Sequence, residues 1–109
     1  MQTIQKAFSV TAGAKSANIM EGELGRFLVS GQPFRVSAKA SATGALLTVI
    51  ANTPVVNDQA FTFNATNQFP IIPDDVMGTY RSPGAAELQI FVRNPTAGTI
   101  TGIVRVDIA

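Results

Sequence analysis

Asp74 and Asp75 are the adjacent acidic pair of the sequence, in a loop opened by Pro73. Such oxygens could bind calcium if Asn57, Asp58 or backbone carbonyls joined them, because that ion takes about six to eight oxygen ligands. The spaced Asp/Asn/Gly ladder of a calcium loop is missing, so the pair reads instead as a turn in which Asp74 caps a short turn through Val76-Met77, ending at Gly78. Glu21 and Glu23, with Asp58 or Asp107 as further candidates, could act as acid and base in glycosidase-like chemistry. That reaction needs two carboxyls held across a cleft with their pKa values pushed apart, and the scattered acids give no sign of one. The serines at 9, 16, 30, 37, 41 and 82 have no histidine to activate them. Ser37 with Lys39, or Ser16 with Lys15, would be a serine–lysine arrangement, but in a strand Ser37 and Lys39 read as two residues of a wet face.

No residue is therefore assigned a catalytic, cofactor-binding or metal-binding role, and a protein that is not an enzyme and needs no cofactor is expected. With neither cysteine nor histidine, a disulfide framework, a thiolate metal site and the commonest general base are excluded. Gly84, Gly98 and Gly102 form no phosphate-cradling pattern, and Gly102 inside a strand pattern marks a bulge or a close backbone approach. Asn64-Ala65-Thr66 fits a glycosylation sequon, while Asn94-Pro95-Thr96 is barred by its proline. Arg35 with Lys39, and Arg93 with Glu87, read as charges that keep a sheet soluble; the functional alternative is that they meet acidic groups of a neighbouring subunit.

Eight basic and seven acidic residues, net charge +1, lie along the chain without a basic cluster. Binding to nucleic-acid phosphates needs such a cluster, so no sequence-specific nucleic-acid partner is expected. The apolar stretches around Ala45–Ala51 and Ile103–Val104 are far shorter than the roughly 20 residues of a membrane helix. The first residues lack the basic-then-apolar pattern of a signal peptide.

The elements that must carry these residues are strands. Ile4, Lys6, Phe8 and Val10 alternate with Gln5, Ala7 and Ser9; Phe34, Val36, Ala38 and Ala40 with Arg35, Ser37 and Lys39. Leu88, Ile90 and Val92 alternate with Glu87, Gln89, Phe91 and Arg93. Ile100, Gly102, Val104, Val106 and Ile108 alternate with Thr99, Thr101, Ile103, Arg105 and Asp107. A period of two is what a strand with one buried and one wet face requires. Arg26–Ser30 is a weaker strand, and Ala45–Ala51 is apolar on both faces, as a central strand would be. Val55–Phe63 reads as two strands split at Asn57-Asp58, and Gln68–Ile72 as an edge piece limited by Pro70 and Pro73. The segment Asn94–Gly98 predicts a hairpin turn, and Thr11–Gly25 and Pro73–Ala86 read as long loops. In the first loop, Ala17, Met20 and Leu24 could share one side of a helical turn.

About eight strands at roughly 8–12-residue spacing predict an all-β, single-domain antiparallel β-sandwich, jelly-roll in type, over residues 1–109. Residues 1–12 would be a first strand or an assembly arm. Apolar residues make up 46% and charged residues 14% of the chain, more apolar surface than so small a domain hides alone. Phe91 and Ile103 fall on otherwise polar faces, and Phe61 and Phe63 share a face, so a homo-oligomer is expected.

The stretch Ala85–Gly102, a strand ending in the Asn94-containing turn and followed by a Thr/Val-rich strand, resembles the late strand–turn–strand of small jelly-roll or β-sandwich virion proteins of bacteriophages. The resemblance spans most of the chain as architecture and rests on no diagnostic motif, so it carries over no site residue. It implies a viral structural protein that self-assembles in, or decorates, a capsid, with virion proteins as partners and the virion as location, the cytoplasm being the alternative. The other function in view is a non-catalytic carbohydrate- or protein-binding module. Tyr80 and Phe69 would be its loop aromatics, and the Pro73–Ala86 loop a docking surface.

Overall fold

A computed structural model describes residues 2–63, 70 and 75–109, and these form nine strands and one 3-10 turn at Leu24–Arg26. The strands are β1 (Gln2–Val10), β2 (Phe27–Leu28), β3 (Pro33–Ala40), β4 (Leu46–Ala51), β5 (Thr53–Ala60), β6 (Thr62–Phe63), β7 (Val76–Arg81), β8 (Ala86–Arg93) and β9 (Ile100–Ile108). One sheet runs β1-β9-β3, with β7 and the short β6 sharing the far edge of β3; the other runs β2-β8-β4-β5. Apart from the two-residue parallel contact of β6 with β3, every pairing is antiparallel.

The pairs β1·β9, β2·β8, β3·β7 and β4·β5 nest as one long hairpin whose tip is Asn52, in the left-handed region at φ 64°. Rolling that hairpin so that alternate pairs fall in opposite sheets makes the jelly roll. The radius of gyration, 13.0 Å, is that of one compact body of this length.

The alternation lays out the core. Ile4, Phe8 and Val10 of β1, Phe34 to Ala40 of β3 at every second position, and Ile100, Val104, Val106 and Ile108 of β9 face Leu47, Val49, Ala51, Leu88, Ile90 and Val92 from the other sheet, all buried. Gly102 takes an inward position without a bulge: a Cβ there would meet the Phe8 ring and the carbonyl oxygen of Lys39. Phe8 packs edge-on to Phe61, ring centres 5.5 Å apart.

Several expectations are corrected. Asn94–Gly98 is not a hairpin turn, because β8 and β9 belong to different sheets. The buried Asn94 side chain makes the crossing instead, donating to the carbonyls of Val10, Thr11 and Gly98 and accepting from the Thr96 N–H and hydroxyl. The Pro73–Ala86 loop contains β7, whose pattern is hidden by Gly78: the Tyr80 hydroxyl lies where a Gly78 side chain would be. Val76-Met77 is therefore strand, not a capped turn, while Asp74 and the strand read at Gln68–Ile72 fall outside the described residues apart from Pro70.

β5 runs unbroken through Asn57-Asp58, absorbing the kink as two register shifts and a left-handed Asp58. The loop before β2 holds one helical turn, the 3-10 turn at its end, Leu24–Arg26, but residues 14–19 form none. They lie extended along β8, with the Ser16 and Ile19 amides donating to the Val92 and Ile90 carbonyls, so Ala17 points out while Met20 is buried.

Candidate functional site

The outward faces of the two sheets differ in kind. On the β1-β9-β3-β7 sheet, Thr3, Asp107, Arg35 and Thr79 form one transverse row. Asp107 has only 1% of its side chain exposed and sits at the centre of a cluster. It accepts from the Thr3 hydroxyl at 2.7 Å, from Arg35 Nη2 at 2.9 Å and from Arg105 Nε at 3.2 Å. Burial alone would raise its pKa, but those hydrogen bonds and the Arg105 charge outweigh it and hold the carboxyl below the usual carboxylate value. A general acid requires the opposite shift. Beside the row lies a cavity of about 200 Å³ lined by Pro33, Phe34, Arg35, Thr79, Asp107 and Ala109. It is smaller than the roughly 300–1,000 Å³ of small-molecule sites.

The other candidates are likewise tied to partners. Glu23 binds Lys6 at 3.0 Å, whereas Glu21 stands exposed in the loop, so the two glutamates do not face each other across a cleft. Asp75 pairs with Lys39 at 2.9 Å, both nearly buried, and Asp58 pairs with Arg93 at 3.0 Å. Asp75 and Asp58, two of the oxygen donors considered for calcium, thus neutralise separate cations, Asp74 lies outside the described residues, and no group of three or more metal-ligating side chains gathers among the described residues. Ser37 and Lys39 are not on a wet face: Asp75 meets Lys39 there, and the Ser37 hydroxyl is buried without a hydrogen-bond partner among the described residues. The Ser16 hydroxyl accepts from the Val92 N–H, and the Lys15 ammonium lies 4.6 Å from the centre of the Phe91 ring. Arg35, Lys39, Arg93 and Glu87 all find their opposite charges within this chain, Glu87 with Arg26 at 2.8 Å. The sequon at Asn64, the Phe63 side chain and Phe69 fall outside what is described.

Tyr80 is a strand residue, packed 5.5 Å from Phe34, and burial pushes its phenol pKa up. It is no loop aromatic.

The outward face of β2-β8-β4-β5 carries the apolar surface. Phe91 stands opposite Thr48, which places it between Leu46 and Ile50 on the same face, and all three are half-buried. At the edge, Phe27 and Val29 are the large apolar residues left exposed among the described residues, 57% and 65%. Arg26 lies over the Phe27 ring at 4.4 Å and is itself held by Glu87. Phe27 pairs with Glu87, so Glu87 and Gln89 separate it from Phe91 along β8 and the outer face carries two apolar areas rather than one. Phe91 was visible to sequence reasoning as an apolar residue out of phase; Phe27 and Val29 were not, because β2 is too short to show a period. Ile103 is the matching out-of-phase residue of the other sheet, half-buried on its outer face.

The class these features define is the all-β jelly-roll sandwich. No protein-family model matches the sequence, and no curated protein matches it. Among solved structures, a periplasmic inhibitor of g-type lysozyme from Salmonella Typhimurium is similar, with a TM-score of 0.54 at 13% identity over 98% of this chain and 87% of that one. The C-terminal CBM6 of a marine laminarinase from Zobellia galactanivorans gives 0.46 at 9% identity, covering 96% and 98%. The likeness to the first extends to the fold.

Proposed function

We propose that this chain is a non-catalytic jelly-roll module that works by docking to other macromolecules, and specifically a virion structural subunit that assembles with copies of itself. The observation that carries the reading is the apolar area on the outer face of β2-β8-β4-β5, the exposed Phe27 and Val29 at the edge and, farther along β8, the half-buried Leu46, Phe91 and Ile50, which association would remove from water. The pairing of the described carboxylates, Glu21 apart, with cations of the same chain supports a structural rather than a chemical use of them. Sedimentation velocity and light scattering from low to high micromolar concentration test it. Discrete oligomers or particles are expected from the unaltered chain, and species no larger than a dimer from the Phe27→Ser, Val29→Ser double variant. A chain that stays monomeric throughout refutes the assembly reading.

The second reading is a monomeric binding module, favoured by the likeness in fold to a protein whose partner is a lysozyme. A monomer that binds g-type lysozyme or a β-glucan in calorimetry would establish it in place of the first.

A further inference from the structure

The sheet edges differ in how they are finished, and that difference identifies a second contact. Along β8, residues 14–19 replace a regular strand: the Ser16 hydroxyl and Asn18 side-chain oxygen take the amides of Val92 and Ile90. β5 carries Pro54, two register shifts and the left-handed Asp58. β7 follows β3 only to a slip between Val36 and Ser37, beyond which β6 takes over. Irregularity, proline and bulges are the means by which proteins keep an edge from pairing with another chain. β1 has none of these; its inward-side charge, Lys6, another such device, is neutralised by Glu23 of the same chain. Its nine residues follow β9 without a break in register.

Which groups β1 turns outward follows from its neighbours. The Thr101 N–H bonds the Ser41 hydroxyl, the Ser41 N–H bonds the Thr101 carbonyl, and the Ala109 N–H bonds the Pro33 carbonyl. Odd residues of β9 therefore direct their backbone to β3, and even ones to β1. In the observed register, Gln2↔Ile108 through Val10↔Ile100, the even residues of β1 receive those bonds. Thr3, Gln5, Ala7 and Ser9 are left with N–H and C=O pointing away from the sheet, and these backbone groups have no partner among the described residues.

We infer that the outer edge of β1 is a strand-addition site whose occupant is β1 of a second copy, antiparallel across a two-fold axis at Ala7. This rests on the assembly reading above. In that register Gln5 faces Ser9 of the second copy on the outer side, and Ile4 faces Val10 on the inner side. The smallest side chain lies on the axis. A two-fold at Lys6 would oppose two ammonium groups; the axis at Ala7 sets Lys6 against Phe8 of the second copy, with its charge held by Glu23. An isologous contact of this kind closes on itself, so it makes pairs, which a separate surface such as the Phe27 patch would join into larger bodies.

The chain has no cysteine, so a single introduced one reports the contact cleanly. Opposed residues at a hydrogen-bonded antiparallel position have Cα atoms about 5.5 Å apart, within disulfide reach. Mild oxidation of Ala7→Cys is expected to give a covalent dimer on a non-reducing gel, and Gln5→Cys a monomer. Ala7→Pro removes an outward N–H and leaves the ladder to β9 intact. It is expected to keep the wild-type circular-dichroism spectrum and to weaken pairing about tenfold or more by sedimentation equilibrium. No Ala7→Cys dimer from a chain that still assembles overturns the edge pairing and leaves the assembly reading standing. A wild-type chain that is monomeric at every concentration overturns both.

Discussion

Asp107→Asn is the sharpest probe of how the outer face of the β1-β9-β3 sheet is held. The substitution keeps size and shape, but it places an amide NH2 among donors that need acceptors: Thr3, Arg35 and Arg105. Breaking a fully buried ion pair by removing one partner costs about 3–5 kcal/mol. Each arginine here keeps 31% of its side chain exposed, so water recovers part of the loss and about 2–3 kcal/mol is expected. In urea that is a drop of roughly 1–2 M in the midpoint at unchanged slope. The pH dependence gives an independent check. The Asp107 carboxyl titrates below its ordinary 3.8 in the folded state, so its contribution is complete above that value. It is lost as the pH falls through the lower folded value, because the unfolded chain then binds the proton first. The stability gap between wild type and Asp107→Asn should therefore be constant near neutrality and close in strong acid. A gap below about 0.5 kcal/mol at neutral pH, or one that persists unchanged in strong acid, would refute this account of the cluster.

Two further substitutions probe the frame. Ser37→Ala removes a buried hydroxyl that has no partner, so it should leave stability unchanged or raise it by up to about 1–2 kcal/mol; a clear loss in thermal melting would mean the hydroxyl is bonded. Gly102→Ala should cost about 1–3 kcal/mol or more, since its Cβ meets a backbone carbonyl as well as the Phe8 ring, and a melting temperature within a degree or so of wild type would contradict that close approach.

The strong period-two segments were legible in the sequence because their apolar residues share one face: β1, β3, β8 and β9 fall where alternation put them, although Ser37, Lys39 and Asp107, read as wet, are buried on the opposite face. β4 lies between two strands of its sheet, but it is not covered on both faces as its apolar run suggested: Leu46 and Ile50 are only half-buried on the outer side. Where the reading failed, local chemistry had been given two meanings. Asn94-Pro95-Thr96-Ala97-Gly98 suits a tight turn between paired strands, and equally a crossing between sheets in which Asn94 bonds carbonyls of β1 and its following loop. Only the position of β1, far off in sequence, decides between them. β7 was missed because Gly78 and Tyr80 blur the period, although their contact is what brings the ring over the strand. For the site, Phe91 and Ile103 were visible as out-of-phase residues. The pairing of each charge was not, since Lys39 with Asp75 and Arg93 with Asp58 join residues about 35 apart.

That internal pairing bears on how a partner would be recognised. Lys6, Arg26, Arg35, Lys39, Arg93 and Arg105 all carry a carboxylate partner in this chain, and the net charge is +1. A surface so neutralised projects little field beyond a Debye length of about 8–10 Å, and long-range steering of a charged ligand needs a field. What remains for recognition acts at contact: apolar area at Phe27, Val29 and Phe91, and the outward backbone groups of β1 that have no partner among the described residues. Both favour partners of fixed shape presented in a fixed orientation, and a strand edge asks its partner for an extended backbone rather than a particular residue. Copies of the same chain meet that demand without further specificity, because each brings the same straight edge with the same spacing of donors and acceptors.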